Sequence, residues 1–240
     1  MSDIREEINE ISAELAVKIP LLYDAGKKAE YDAFWDAYQQ NGKRESYTFA
    51  FAGTGWNADT FKPKYDIVVK GTARSMFAGG LAGVDVEQRL SDLGITLDTS
   101  GVTATDGFDY FCEYHGPSVL PVIDTRGATQ VRRLLFHSIS LVTVRKVILK
   151  DDGSQKFTDA FPNNIKLENI EFEGLFGNNV SFERCNKLSK ASLTSIMTHL
   201  SPTATFTVTL SKLAVNNAFT TDEWQAIINE KPTNVTVSLI

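Results

Sequence analysis

LPVIDTRG (Leu120–Gly127) and RKVILKDDG (Arg145–Gly153) decide how the rest of the chain is read, because each is a short β-rich run ending in a polar turn. Three further runs match them: YDIVVK (Tyr65–Lys70), GITLDTS (Gly94–Ser100) and NIEFEG (Asn169–Gly174). Centred near Val69, Leu97, Ile123, Leu149 and Phe172, they recur at about 23 to 28 residues, within the range of leucine-rich solenoids. Between them stand Phe77, Phe111, Phe136, Phe161 and Phe182, the last four at intervals of about 25, 25 and 21 residues. Each unit then supplies one strand residue and one aromatic to a shared core, as stacked repeats do when no unit can bury its face alone. A parallel sheet with one strand from each unit is expected, the strands near Leu97, Ile123, Leu149 and Phe172 being neighbours.

The C-terminal end breaks this rhythm. Ser189 or Ser192 caps a helix carrying Leu193, Ile196, Met197 and Leu200, and Thr220-Thr221-Asp222-Glu223 is a capping box opening a helix that Pro232 follows. TFTVTL (Thr205–Leu210) and NVTVSLI (Asn234–Ile240) alternate polar and apolar residues and frame that second helix. A strand, helix and strand form the atypical cap that the end of a solenoid needs.

At the other end, Asp3-Ile4-Arg5-Glu6 has the spacing of a capping box. Ile4, Ile8, Ile11 and Leu15 then step by four, three and four, a short heptad seam. With β-branched residues at d positions such a seam suits trimers or tetramers, a trimer being preferred; the alternative is an amphipathic helix lying on its own domain. Pro20 ends it near Ile19. A second helix from about Lys27 to Gln40 carries Tyr31, Phe34, Trp35 and Tyr38 as one aromatic stripe, which packs on the next domain or serves as a docking surface. The expected architecture is α+β: a helical leader over 1–42, a leucine-rich-repeat-like β-solenoid with parallel strands over 43–200, and the strand-helix-strand cap over 201–240.

The 240 residues carry 24 Lys+Arg against 30 Asp+Glu, a net charge of -6, which gives no pull toward nucleic-acid phosphates. With 42% hydrophobic residues the chain can bury a full core. No apolar run is long enough to insert in a membrane, and the acidic MSDIREEINE lacks the basic, apolar start of a signal peptide. A soluble protein made in the cytoplasm is expected, with Cys112 and Cys185 reduced and buried.

KIPLLYDAGKKAEYDAFWDAYQQNGKRESYTFAFAGTGWNADTFKPKYDI (Lys18–Ile67), with the MFAGG that follows it at Met76–Gly80, resembles the leader of leucine-rich-repeat proteins encoded in tail regions of phages and prophages of gut Firmicutes. KVILKDDGSQKFTDAFPNN (Lys146–Asn164) and LENIEFEGLFGNNVSFERCNKL (Leu167–Leu188) look like BspA-type leucine-rich repeats, in which a strand precedes a phenylalanine-containing turn. The units are uneven in length and lack the regular S-I-G-x-x-A-F core of that type. The resemblance implies a virion or tail structural role, with the host cytoplasm as the place of assembly, other tail or virion proteins as partners, and a host-surface glycan or protein as a further partner. A carbohydrate- or protein-binding surface adhesin of BspA type is the alternative, and it requires an export signal.

Enzyme chemistry finds little footing. Gly53-Thr54-Gly55-Trp56-Asn57-Ala58 has the G-x-G-x-x-A spacing of a dinucleotide fingerprint, but Pro63 and DTFKPKYD leave no room for the helix whose N-terminus would face a pyrophosphate. Asp109, Cys112, Glu113 and His115 offer metal-ligand types without a second cluster to complete them, so a turn burying Phe111 and Cys112 is preferred. Glu168, Glu171 and Glu173 would suit glycoside hydrolysis only with one raised pKa, whereas a strand with Ile170 and Phe172 inward leaves Glu171 and Glu173 on a solvated face. No G-x-S-x-G turn, P-loop or Cys-His nucleophile pattern occurs. No catalytic residue, cofactor or metal is assigned, and a non-enzymatic binding or scaffolding protein is expected.

Overall fold

A computed structural model describes residues 43–63, 65–158, 161 and 163–240. The seam of Ile4, Ile8, Ile11 and Leu15 and the stripe of Tyr31, Phe34, Trp35 and Tyr38 lie outside those residues. Within them the fold is mixed α/β, with eleven strands and four helices. Every strand pairing among the described residues is parallel, and no sheet among them closes into a barrel.

Strands β1 (Lys43–Ser46), β2 (Ile67–Thr72) and β3 (Leu97–Asp98) form one sheet. The second joins β4 (Val119–Asp124), β6 (Thr143–Ile148) and β8 (Asn169–Phe172), the third β5 (Gln130–Arg132) and β7 (Lys156–Thr158), and the fourth β9 (Val180–Phe182), β10 (Phe206–Leu210) and β11 (Val235–Leu239). In the second sheet Leu120 stands opposite Val144 and Val144 opposite Ile170, while Ile123, Val147 and Phe172 make a second row. All six side chains are buried. Two residues per strand thus face one core, and the parallel register sets each beside its counterpart on the next strand.

Three of the four strands expected to be neighbours therefore share a sheet, but the one near Leu97 joins β2 instead. The reason lies in Thr99: its hydroxyl donates to the Asp124 carbonyl and accepts the Asp124 N–H. A side chain there occupies the backbone groups that a β3–β4 ladder would have used.

The phenylalanine series also departs from expectation at one place. Phe77, Phe111, Phe161 and Phe182 are fully buried, and Phe51 heads the series, stacking on Phe77 at 5.5 Å. Phe77 meets Phe111 at 5.2 Å and Phe161 meets Phe182 at 4.7 Å, the separations that aromatic pairs prefer. Phe136 is only half-buried, because the adjoining Leu134 and Leu135 fill the interior and its ring packs on His137. Phe182 lies in strand β9 where a turn was expected.

Helices cover the edges of the second sheet. Asp85, bridged to Val119, caps α1 (Val86–Leu93) by accepting the Gln88 N–H. At the far edge the N–H groups of Ile170 and Phe172 donate to the hydroxyls of Ser192 and Ser195 on α2 (Lys190–Thr198), which Ser189 caps. Edge donors that would otherwise recruit another strand are thus satisfied. The C-terminal unit has two helices between its strands rather than one: Ser211 opens α3 (Lys212–Ala218) before Thr220 opens α4 (Thr221–Glu230). Its first strand, β10, pairs with β9 as well as β11, so the unit continues the preceding sheet.

The capping box of α4 forms as the residues require, Thr220 accepting from the Glu223 N–H and Glu223 from the Thr220 N–H. A hydrogen bond from Lys190 and then the Thr220 N–H hold the Glu223 carboxyl down at about 2 from its ordinary 4.5. A depressed folded-state value means that its support of α4 is complete above the ordinary value and disappears as pH falls through about 2. An NMR titration is expected to place the Glu223 midpoint near 2, and higher in Lys190→Ala while still below the ordinary glutamate value, because the Thr220 N–H remains; the same midpoint in both would discard the Lys190 contact.

Candidate functional site

Two successive stretches, DYFCEYHG (Asp109–Gly116) and RRLLFHS (Arg132–Ser138), carry an unusual backbone. Tyr110, Tyr114, Arg133 and His137 have φ of 54°, 53°, 47° and 52°. A left-handed conformation costs a residue with a side chain about 1–2 kcal/mol, so it persists only where the surroundings impose it. The surroundings here are neighbouring turns: Asp109 N–H bonds the Asp106 carbonyl, Phe111 that of Phe108, and Phe136 that of Arg133. Across the units, Cys112 N–H bonds the Leu134 carbonyl and Tyr114 N–H that of His137. The chain buries Phe111 and Cys112 completely while leaving Tyr114 53% exposed.

Charged and aromatic side chains of the two stretches form one continuous cluster around a buried carboxylate. Asp109, only 2% exposed, accepts from Arg133 Nε at 2.8 Å and Nη2 at 2.9 Å, a bidentate pair. The guanidinium lies 3.8 Å over the Tyr110 ring and also donates from Nη1 to the Tyr110 hydroxyl. Arg74, from the preceding unit, brings Nη2 to 3.5 Å of Asp109 Oδ2. Tyr110 meets Phe136 edge-on at 5.7 Å, Phe136 stacks on His137 at 4.0 Å, and His137 meets Tyr114 at 6.4 Å. Beside them burial pushes the Glu113 carboxyl up, a hydrogen bond involving Tyr114 opposes this, and the Asp109 charge adds to the rise.

The metal reading of Asp109, Cys112, Glu113 and His115 meets two obstacles. Asp109 is committed to Arg133, and burial pushes the Cys112 thiol up to about 12, away from the thiolate that binds metals. Among the described residues no group of three or more His, Cys, Asp or Glu could hold a metal ion. Cys185 is likewise free and buried. On β8, Ile170 and Phe172 do face the core, with Glu171 exposed; Glu173 pairs with Lys146 at 3.0 Å and Glu168 with Lys187 at 3.8 Å. After Gly53, whose φ is 87°, turns follow rather than a helix, and Asn57 accepts the N–H groups of Asp59 and Thr60.

The Tyr110 to His137 cluster was absent from the sequence-based expectations. Its trace in the sequence is Tyr-x-x-x-Tyr followed one unit later by Arg-x-x-x-His, the second pair facing the first. No family model, no curated protein and no solved structure matches the chain.

Proposed function

We propose that the chain is a non-enzymatic structural protein of a phage or prophage virion, associated with the tail, that presents a binding surface built by its repeats. In this reading the parallel sheets are rungs of one leucine-rich-repeat-like solenoid, and the C-terminal unit closes its end. Partners are other tail or virion proteins and further copies of the chain, assembled in the host cytoplasm before release in the particle. The observation that supports a surface role is the Arg74, Tyr110, Arg133, Phe136, His137 and Tyr114 cluster, exposed and half-buried side chains joined in one chain of contacts around the buried Asp109. Aromatic and arginine side chains are the types that dominate recognition surfaces.

The same cluster favours a second reading, a surface adhesin of BspA type that binds carbohydrate or protein. Particle purification separates the two. Antibody against the chain is expected to detect it in density-purified particles from an induced lysogen. Detection on the washed cell surface, with none in the particles, would reverse the order.

A further inference from the structure

The geometry points to the cluster of Tyr110, Tyr114, Phe136 and His137 as a binding site for an uncharged saccharide, a sugar ring lying against these side chains while Arg74 and Glu113 meet its hydroxyls. It rests on the surface-binding reading above and specifies the ligand class. Three properties of the site select that class.

The first is charge. Two guanidiniums, Arg74 and Arg133, are balanced by two carboxyls, Asp109 and Glu113. A phosphate, a sulfated glycan or an acidic peptide would find no surplus of positive charge, and a basic peptide no surplus of negative. With Arg133 and Asp109 engaged with each other, Arg74 and Glu113 are the donor and acceptor of the cluster nearer the surface, which suits hydroxyls that each donate and accept.

The second is size. Aromatic side chains bury at most about 150–250 Å² each, so four partly covered rings offer a few hundred Å². That falls well short of the ~800 Å² per partner in a stable protein interface. A surface of that order suits a small ligand better than a folded partner.

The third is rigidity. Arg133 is held by Asp109 on one side and Tyr110 on the other, and Phe136 is stacked on His137. A small ligand gains few contacts, so it binds measurably only where little side-chain freedom remains to be lost.

Saturation-transfer NMR on the full chain tests this with maltotriose, chitotriose and mannotriose as neutral probes, and with 3′-sialyllactose, tetraglutamate and tetralysine as charged ones. At least one neutral sugar is expected to receive saturation on its ring C–H protons. The signal should fall at least tenfold in Tyr114→Asn/His137→Asn, since asparagine tolerates positive φ and keeps the turns folded. It should be unchanged in Tyr65→Ala, which removes an exposed tyrosine outside the cluster. Circular dichroism verifies that each variant is folded. No transfer to any neutral sugar overturns the proposal, as does undiminished transfer in the folded double variant. Peptide binding that depends on Tyr114 and His137, without a sugar response, shows a protein-docking surface instead. Particle association is measured separately, so failure of the sugar assay leaves the virion reading standing, and absence from particles leaves a positive sugar result intact.

Discussion

Gly127→Ala is expected to destabilise the protein by about 3 kcal/mol, seen as a large fall in the urea midpoint, the upper range for forcing atoms into a packed interior. A Cβ at Gly127 would lie 2.6 Å from both the Ser100 and Val102 carbonyl oxygens. Gly101 is in the same position against the Val69 oxygen at 2.3 Å, and Gly177 against the Asp151 oxygen at 2.5 Å. Each obstacle is backbone of a neighbouring segment about 25 to 32 residues away in the chain, so it cannot turn aside as a side chain would. Relief requires the units to separate, which opens the parallel register and exposes the stacked rows beneath it. Gly55→Ala is the control, because nothing lies within 4 Å of the added carbon and it should shift the midpoint little. Equal midpoints for the Gly127 and Gly55 variants would mean that the units do not approach as closely as these contacts require.

Two of those glycines close runs that are legible in the sequence, LDTSG at Gly101 and IDTRG at Gly127. The strands are readable because a β-branched run needs only its own residues to declare itself. Ser189 and the Thr220 capping box are readable for the same reason, their partners lying three residues away. Helix α1 had the same local signature, Asp85 three before Gln88 and Gly94 as a left-handed stop, but its apolar face is narrow, only Val86 and Leu90 being buried. Helix α3 is seven residues long, too short for periodicity to show. Side-chain substitution for a ladder, as at Thr99, depends on a residue in the next unit and leaves no local mark.

The candidate site was hidden for a different reason. Positive φ is commonest in glycine, then in asparagine, aspartate and histidine, and nothing in Tyr110, Tyr114 or Arg133 advertises it. The conformation is imposed by bonds between turns and across units, so the direction of these side chains follows from tertiary contacts. Phe136 shows the consequence: spacing placed it with the buried phenylalanines, but a neighbouring pair of leucines took the interior and the ring joined the surface cluster.

The cluster's stability rests on Asp109, and Arg133→Met is expected to cost about 3 kcal/mol, toward the low end for removing one partner of a buried ion pair. Asp109 would keep only the longer contact to Arg74, whose side chain is half exposed and whose attraction is weakened by solvent. The loss comes mainly from leaving a buried carboxylate with that one distant partner, with a smaller part from the guanidinium no longer covering Tyr110. Replacing both partners removes the stranded charge, so Asp109→Leu/Arg133→Met should recover most of the stability lost by the single variant. Urea unfolding of wild type, both singles and the double completes a cycle in which the pair contributes a coupling energy well above the error of the measurement. If Arg133→Met alone costs less than about 1 kcal/mol, the carboxylate is reached by water or by Arg74 well enough to do without its partner. Tyr110 and Phe136 would then lack the fixed support that the bidentate pair provides. A double variant that stays folded but loses the left-handed turn at residue 133 would show that the ion pair also holds the backbone there, which an NMR measurement of φ at that position reads directly.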